Sequence, residues 1–324
     1  MNQQLSIIIP CLDDPALGDT IRSIVRTTDP AWPVRVIVVD DASKKAVCRD
    51  CLQKEFPRLN LAVIRKTERQ GCAASRQIAA NRAATDWLLF TDAHMRFTKG
   101  WYQAFCEAAQ SADPKTLLCG TYISRSGAET YAPIGGSEFF FFREQSFTGS
   151  GVRMMEHDPL PEPYPAPASY EVPCAIGAAY FISRDWFNAL RGFEGLKGYG
   201  SDEPFLSIKS WLAGGSVRVM RDVRIEHLHQ GRAASERDSK TLMLYNKLFM
   251  LQTLFPAWMN DAIALMPQVD AETFQDALFE LHKTTALQLD LTDAFKNLFV
   301  RTPEEFCQHF GIEAPCATLT IGTP

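Results

Sequence analysis

Four short apolar runs open the chain at regular intervals: Leu5–Pro10, Val34–Asp40, Leu61–Arg65 and Trp87–Thr91. Helical patterns lie between them, roughly at Pro15–Thr27, Ala46–Phe56 and Cys72–Ala84. Strands that alternate with helices predict βαβ units, parallel pairing and a doubly wound α/β sheet, open and Rossmann-like, with helices on both faces. Right-handed crossovers then bring the ends of the first, second and fourth strands to one crevice, where open α/β sheets bind ligands.

The middle of the chain is less regular. Glu138–Arg143 reads as a strand with aromatic residues on both faces. The proline-rich stretch from Pro159 to Pro167 cannot be helical and is either a lid or a passive connector. Patterning resumes with a small-residue strand at Ala175–Ser183, a short helix at Arg184–Leu190, a helix at Ser201–Ala213 and a strand near Ser216–Met220 that ends in Ile225–His229. Beyond Ser235 the pattern is helical only, at Ser235–Leu254, Ala271–Thr285 and Thr302–His309. The expected organisation is therefore an α/β domain over residues 1–234 and a helical C-terminal subdomain over 235–324.

Composition narrows the class. Of 324 residues, 46% are hydrophobic and 22% charged, as in ordinary globular proteins. A net charge of −5 argues against bulk attraction to nucleic acid or anionic membrane. No apolar stretch approaches the roughly 20 residues that a bilayer requires. Nine cysteines without a regular framework fit a reducing compartment, so a cytoplasmic location without a transmembrane anchor is expected. Cys48 and Cys51 form a CxxC with no second pair at zinc-finger spacing, and read as two thiols on a helix.

The most informative chemistry stands at the end of the fourth apolar run, where Thr91 is followed by Asp92, Ala93 and His94. In extended backbone, residues i and i+2 point the same way, so Asp92 and His94 can face one ion. An aspartate capping a turn beside a surface histidine is the alternative reading of the same four residues. Pro10 and Cys11, and Asp40 and Asp41, stand at the ends of the first and second strands, on the same predicted edge. A helix-capping role suits Asp41.

Taken in order, these features resemble a nucleotide-sugar-dependent glycosyltransferase of the GT-A fold over about residues 5–230. The second half is similar to the polypeptide N-acetylgalactosaminyltransferases. That likeness rests on the Asp-x-His of Asp92 and His94, on the segment Gly200–Ser207 before Trp211 and Gly214-Gly215, and on His227. The resemblance implies a metal site of Asp92, His94 and His227, with His229 competing for the last place. Carboxylate oxygen suits Mn2+ or Mg2+, and two imidazoles favour Mn2+. It further implies that Pro10, Cys11 and Asp13 lie against base and ribose, and that Asp40 accepts a hydrogen bond from uracil. Arg76, in the turn Gly71–Arg76, would pair with the diphosphate or with Asp92. Gly177 would flank the donor sugar. His157, on the proline-rich stretch, could meet the diphosphate.

Asp202 and Glu203 are the candidate catalytic pair. In inverting relatives such an acid deprotonates the acceptor, whereas in the retaining N-acetylgalactosaminyltransferases the matching acid holds sugar hydroxyls. Asp-Glu departs from both families' order, and retention is the favoured expectation. The expected donor is a UDP-sugar of the UDP-GalNAc, UDP-GlcNAc or UDP-glucose type. The hydroxyl acceptor would be a glycan, lipid-linked glycan, peptide or small molecule, or a hydroxymethylated base in DNA. Arg218, Arg221, Arg224, Arg232, Arg237 and Lys240 bear on the DNA alternative, but Asp222, Glu226, Glu236 and Asp238 are interleaved with them. A nucleotidyltransferase would carry a glycine-rich basic loop after the first strand, and Pro10–Asp14 supplies none. An inactive nucleotide-sugar-binding protein would not need a full metal set.

Overall fold

Leu5, Ile7, Ile8 and Ile9 are all fully buried, so the first strand is covered on both faces, as a central strand of a parallel sheet must be. The computed structural model describes residues 3–126, 129–141, 152–156, 169–177, 179–228, 236–266 and 269–315. The first half runs β1 (Leu5–Cys11), α1 (Leu17–Thr27), β2 (Val34–Asp40), α2 (Arg49–Glu55), β3 (Asn60–Arg65), α3 (Cys72–Ala80) and β4 (Trp87–Thr91). It continues through β5 (Met95–Phe97), α4 (Trp101–Ser111), β6 (Thr116–Ser126), β7 (Glu129–Phe139), β8 (Val152–Glu156) and β9 (Ser169–Glu171). Then come β10 (Ala179–Ser183), α5 (Arg184–Ala189), α6 (Asp202–Leu212) and β11 (Ser216–Leu228). The tail holds α7 (Glu236–Leu254), α8 (Met259–Ala264), α9 (Ala271–His282), α10 (Thr285–Leu298) and α11 (Pro303–Phe310).

The strands form one open sheet in the order β3-β2-β1-β4-β10-β6-β11-β5, with β7, β8 and β9 attached at the side of that path. The first four pair in parallel, as their alternation with helices predicts. The sheet then becomes mixed, because β10 runs antiparallel to both β4 and β6. Register aligns Cys11 with Asp40, so the ends of β1 and β2 meet at one edge.

Several elements differ from the sequence expectation. Asp92–His94 is not extended but forms the turn between β4 and the short β5. Thr20 fixes that turn, its hydroxyl donating to Ala93 O at 2.8 Å while accepting from Met95 N at 2.9 Å. Strand β11 reaches Leu228, close to its expected end, but its register with β6 shifts between Met220 and Arg224 before pairing resumes, an irregularity the pattern does not announce. Such a bulge inserts residues on one strand without ending the ladder. Beyond it, His227 lies opposite Met95 of β5, and Leu228 N donates to His94 O at 3.0 Å. Cys48 and Cys51 are joined in a disulfide at the start of α2, which corrects the reading as two free thiols. His157, His229, Arg232 and the proline-rich stretch lie outside the described residues.

The tail shares the core of the sheet. Tyr245, Leu248, Phe249, Met250 and Leu251 of α7 are buried. Phe255 stacks on Phe139 with centroids 6.2 Å apart, and Phe306 of α11 meets Trp211 of α6 edge-on at 5.4 Å. One apolar cluster thus runs from Leu5 to Cys307. Among the described residues, no helix is long and apolar enough to cross a membrane.

Candidate active site

The turn after β4 and the far end of β11 converge on one point. Asp92, His94 and His227 each offer a ligand atom there, and these atoms lie within 4.8 Å of one another. His227 Nε2 is 3.5 Å from Asp92 Oδ2, and the two imidazoles meet edge-on with centroids 4.9 Å apart. Ligands 2.0–2.1 Å from an octahedral cation sit roughly 3 Å apart when adjacent and roughly 4 Å when opposed. The cluster therefore fits one divalent ion after small side-chain adjustments, and its mix of one carboxylate and two imidazoles suits Mn2+. Burial opposes ionisation of Asp92, but the His227 hydrogen bond and the charge of Arg76 outweigh it. They hold the carboxyl well below the usual range, in the form that ligates metal.

Arg76 links this cluster to the acidic pair. It projects from α3, is almost wholly buried, and bonds three carboxylates: Asp92 at 3.1 Å, Glu203 at 3.0 Å, and Asp202. A solvated arginine is thereby excluded. Asp202 and Glu203 occupy the first turn of α6, where the helix dipole favours acids. The preceding turn needs left-handed backbone at Gly198, Gly200 and Ser201. Gly71, the N-cap of α3, packs directly on the Gly198 backbone, and a Cβ there would overlap it. Cys72 N donates to Gly198 O at 2.8 Å, so α3 and α6 present Arg76 and its acids to each other.

Glu203 is the unusual acid. Burial, reinforced by the negative charge of Asp202, pushes its carboxyl up to about 8. Its Oε1 occupies the space where Gly177 lacks a side chain: a Cβ at that position would overlap it. Gly177 thus leaves room for the Glu203 carboxyl, whose flexible end a side chain there would displace.

The nucleotide-side residues are placed unevenly. Pro10 and Cys11 end β1, and Asp13 follows with positive φ, its Oδ1 accepting from Lys44 N at 2.8 Å. Asp40 ends β2, but its carboxylate is fully buried. It accepts from Ser43 N at 2.9 Å and Val47 N at 3.0 Å and is paired with Arg65. As placed, Asp40 anchors the loop of residues 43–47 and presents no open face to a base. Asp41 does not cap α2. It accepts from Gln70 N and Gly71 N and pairs with buried Lys66 at 2.8 Å, tying β2 to the start of α3.

Sequence reasoning missed two residues. Asp14, on the loop after β1, lies with Oδ2 2.8 Å from His94 Nδ1. Asn246 of α7 holds the turn at residues 197–200, donating to Lys197 O, Tyr199 O and Gly200 O. An acid preceding Pro15 was visible in the sequence, but no spacing rule connects it to a histidine 80 positions later. Asn246 sits in a helical pattern that gives no sign of what it faces.

Known proteins share this fold and part of this sequence. Residues 6–159 match the profile of glycosyl transferase family 2. The chain is 27% identical over 253 residues to polypeptide N-acetylgalactosaminyltransferase 15 of Mus musculus, covering 76% of this chain and 39% of that one. It is 30% identical over 212 residues to polypeptide N-acetylgalactosaminyltransferase 8 of Drosophila melanogaster, covering 64% and 34%. The chain thus spans well under half the length of these relatives. Among solved structures, GalNAc-T7 with UDP, GalNAc and Mn2+ superposes with a TM-score of 0.73 at 18% identity, covering 95% of this chain and 57% of that one. S. aureus TarS 1-349 in complex with UDP-GlcNAc gives 0.53 at 13% identity, covering 87% and 73%. The fold is GT-A, and residues 6–159, a little under half of the chain, resemble glycosyl transferase family 2, with distant similarity to the polypeptide N-acetylgalactosaminyltransferases.

Proposed function

We propose that this protein transfers a sugar from a UDP-sugar to a hydroxyl acceptor, with a divalent cation, Mn2+ in preference to Mg2+, held by Asp92, His94 and His227. The observation that carries the reading is the convergence of those three ligands beside the acid network of Arg76, Asp202 and Glu203. The bound nucleotides of the two superposed structures, UDP and UDP-GlcNAc, support uridine as the base. A divalent ion, when bound, supplies Lewis-acid stabilisation to the charge that develops on a leaving diphosphate. Asp92 provides the anionic ligand, kept ionised by Arg76. Arg76 in turn neutralises Asp202, so a second negative charge beside the diphosphate is compensated.

The state of the acids supports retention. Asp202 is buried and engaged with Arg76, so its oxygens are not presented to an acceptor. Burial and the neighbouring Asp202 charge push the Glu203 carboxyl up to about 8, which favours its protonated form at neutral pH, and a protonated carboxyl donates a hydrogen bond instead of removing a proton. Glu203 then fits the role of holding a donor-sugar hydroxyl, while the departing phosphate takes the acceptor proton. The DNA alternative gains no support from the described part of the basic stretch. Arg218 bonds Ser169 and Arg221 lies over the Tyr170 ring, with exposed Asp222 between Arg221 and Arg224.

The test is a hydrolysis screen over UDP-sugars with Mn2+ and no acceptor. Slow turnover of one donor, lost on chelation and in Asp92→Ala, is the expected result. Turnover that persists in EDTA, or in the Asp92→Ala protein, contradicts the assignment.

A further inference from the structure

The loop between β1 and α1 carries a carboxylate whose two oxygens do different jobs. Asp14 Oδ1 accepts from Ala16 N at 3.0 Å, an ordinary local turn bond that asparagine or serine would serve as well. Asp14 Oδ2 instead reaches across 80 residues to His94 Nδ1 at 2.8 Å, with the Asp14 side chain only 1% exposed. An aspartate buried to that degree is costly unless its charge is used. The backbone around His94 is fixed independently, by Thr20 at Ala93 and Met95 and by Leu228 N at His94 O. What those bonds leave undetermined is the rotation and tautomer of the imidazole.

We propose that Asp14 is a positioning residue for the metal site: it accepts the proton on His94 Nδ1, so that Nε2 keeps its lone pair and faces the cation. This rests on the metal reading given above and adds a residue to it. A carboxylate behind a ligating imidazole fixes the tautomer, orients the ring and raises its basicity, and its loss typically lowers metal affinity about 10- to 100-fold. The arrangement also explains the identity of the residue. An asparagine would satisfy Ala16 N, but a single amide oxygen cannot serve both Ala16 N and the imidazole N–H at full strength.

The experiment uses the full chain, stripped of metal, without donor or acceptor. Mn2+ is titrated into wild type, Asp14→Ala and Asp14→Asn by calorimetry. In parallel, histidine 15N NMR of the metal-free proteins reports which His94 nitrogen carries the proton. The expected results are a loss of about 10- to 100-fold in Mn2+ affinity for Asp14→Ala and a smaller loss for Asp14→Asn. Wild-type His94 should be protonated at Nδ1, and that preference should vanish in Asp14→Ala. Equal Mn2+ affinity in all three proteins, or wild-type His94 protonated at Nε2, overturns the assignment while leaving the metal site standing. Failure of wild type itself to bind Mn2+ overturns the metal reading and this one together. Should Asp14→Ala not fold, the asparagine variant and the wild-type tautomer decide the question alone.

Discussion

Arg76 bonds the acidic side chains of Asp92, Asp202 and Glu203 from inside the protein, which makes it the residue whose loss should be felt most widely. Arg76→Met keeps the volume but leaves buried Asp202, and half-buried Asp92, without the guanidinium at their side. Removing one partner of a buried pair costs about 3–5 kcal/mol, and urea unfolding at pH 7 should show a loss in that range. Glu203 gives the opposite sign with pH. Its folded pKa, about 8, lies above its ordinary value of 4.5, so the native state binds more protons than the unfolded state between those limits. Stability contributed by the protonated acid is complete below pH 4.5 and is lost as pH rises through 8, with a slope of at most about 1.4 kcal/mol per pH unit. Glu203→Gln should flatten that part of the stability curve in metal-free protein, as measured by urea midpoints from pH 5 to 8.5. An unchanged slope would show that Glu203 is ionised. Gly177→Ala tests the same acid by geometry. The added methyl displaces the Glu203 carboxylate at its flexible end, so the fold should survive while turnover falls by up to about 100-fold. An alanine variant with wild-type turnover would remove Glu203 from the reacting centre.

At the level of elements, the site depends on two irregularities. One is the bulge in β11, which carries the strand past Met220 and sets His227 beside Asp92. The other is the turn at residues 197–200, which aims α6 at Arg76 and which Asn246 holds with three donated bonds and one accepted from Lys197 N. Asn246 is fully buried, and each polar group left unsatisfied there costs about 1–3 kcal/mol. Asn246→Ala should therefore lower both the thermal midpoint and turnover, although it lies on a helix of the tail. Loss of stability with normal turnover per folded molecule would separate the turn from catalysis. Neither irregularity was legible beforehand. Period-2 and period-3.6 patterns locate β1, β2, β4 and α6 because burial imposes them, whereas a bulge has no period. Helix α4 shows the reverse: Trp101, Phe105 and Ala109 recur at helical spacing and are all buried, so the signal was present although the expected elements omit this helix. Asp92 and His94 were readable because the apolar run stops on them, but the turn that joins them replaced the extended geometry first expected.

Across the whole molecule, sheet and tail fold as partners. Phe249 sits against Gly195, Phe255 against Phe139, and Phe306 against Trp211, so the helices after residue 235 complete the core under the acidic pair. A fragment of residues 1–234 should therefore lack a cooperative thermal transition; a sharp, reversible melt of that fragment would show the tail to be dispensable. Such long-range packing is not readable from one sequence, since amphipathicity says that a face is covered and not by what. The family module, by contrast, was readable because its strand ends bring chemically distinctive residues to one edge. The most direct test of the whole account is the anomalous scattering of manganese in crystals grown with UDP. A single strong peak within coordination distance of Asp92, His94 and His227 is the predicted result. A peak elsewhere, or full nucleotide density with no manganese between those three side chains, would contradict it.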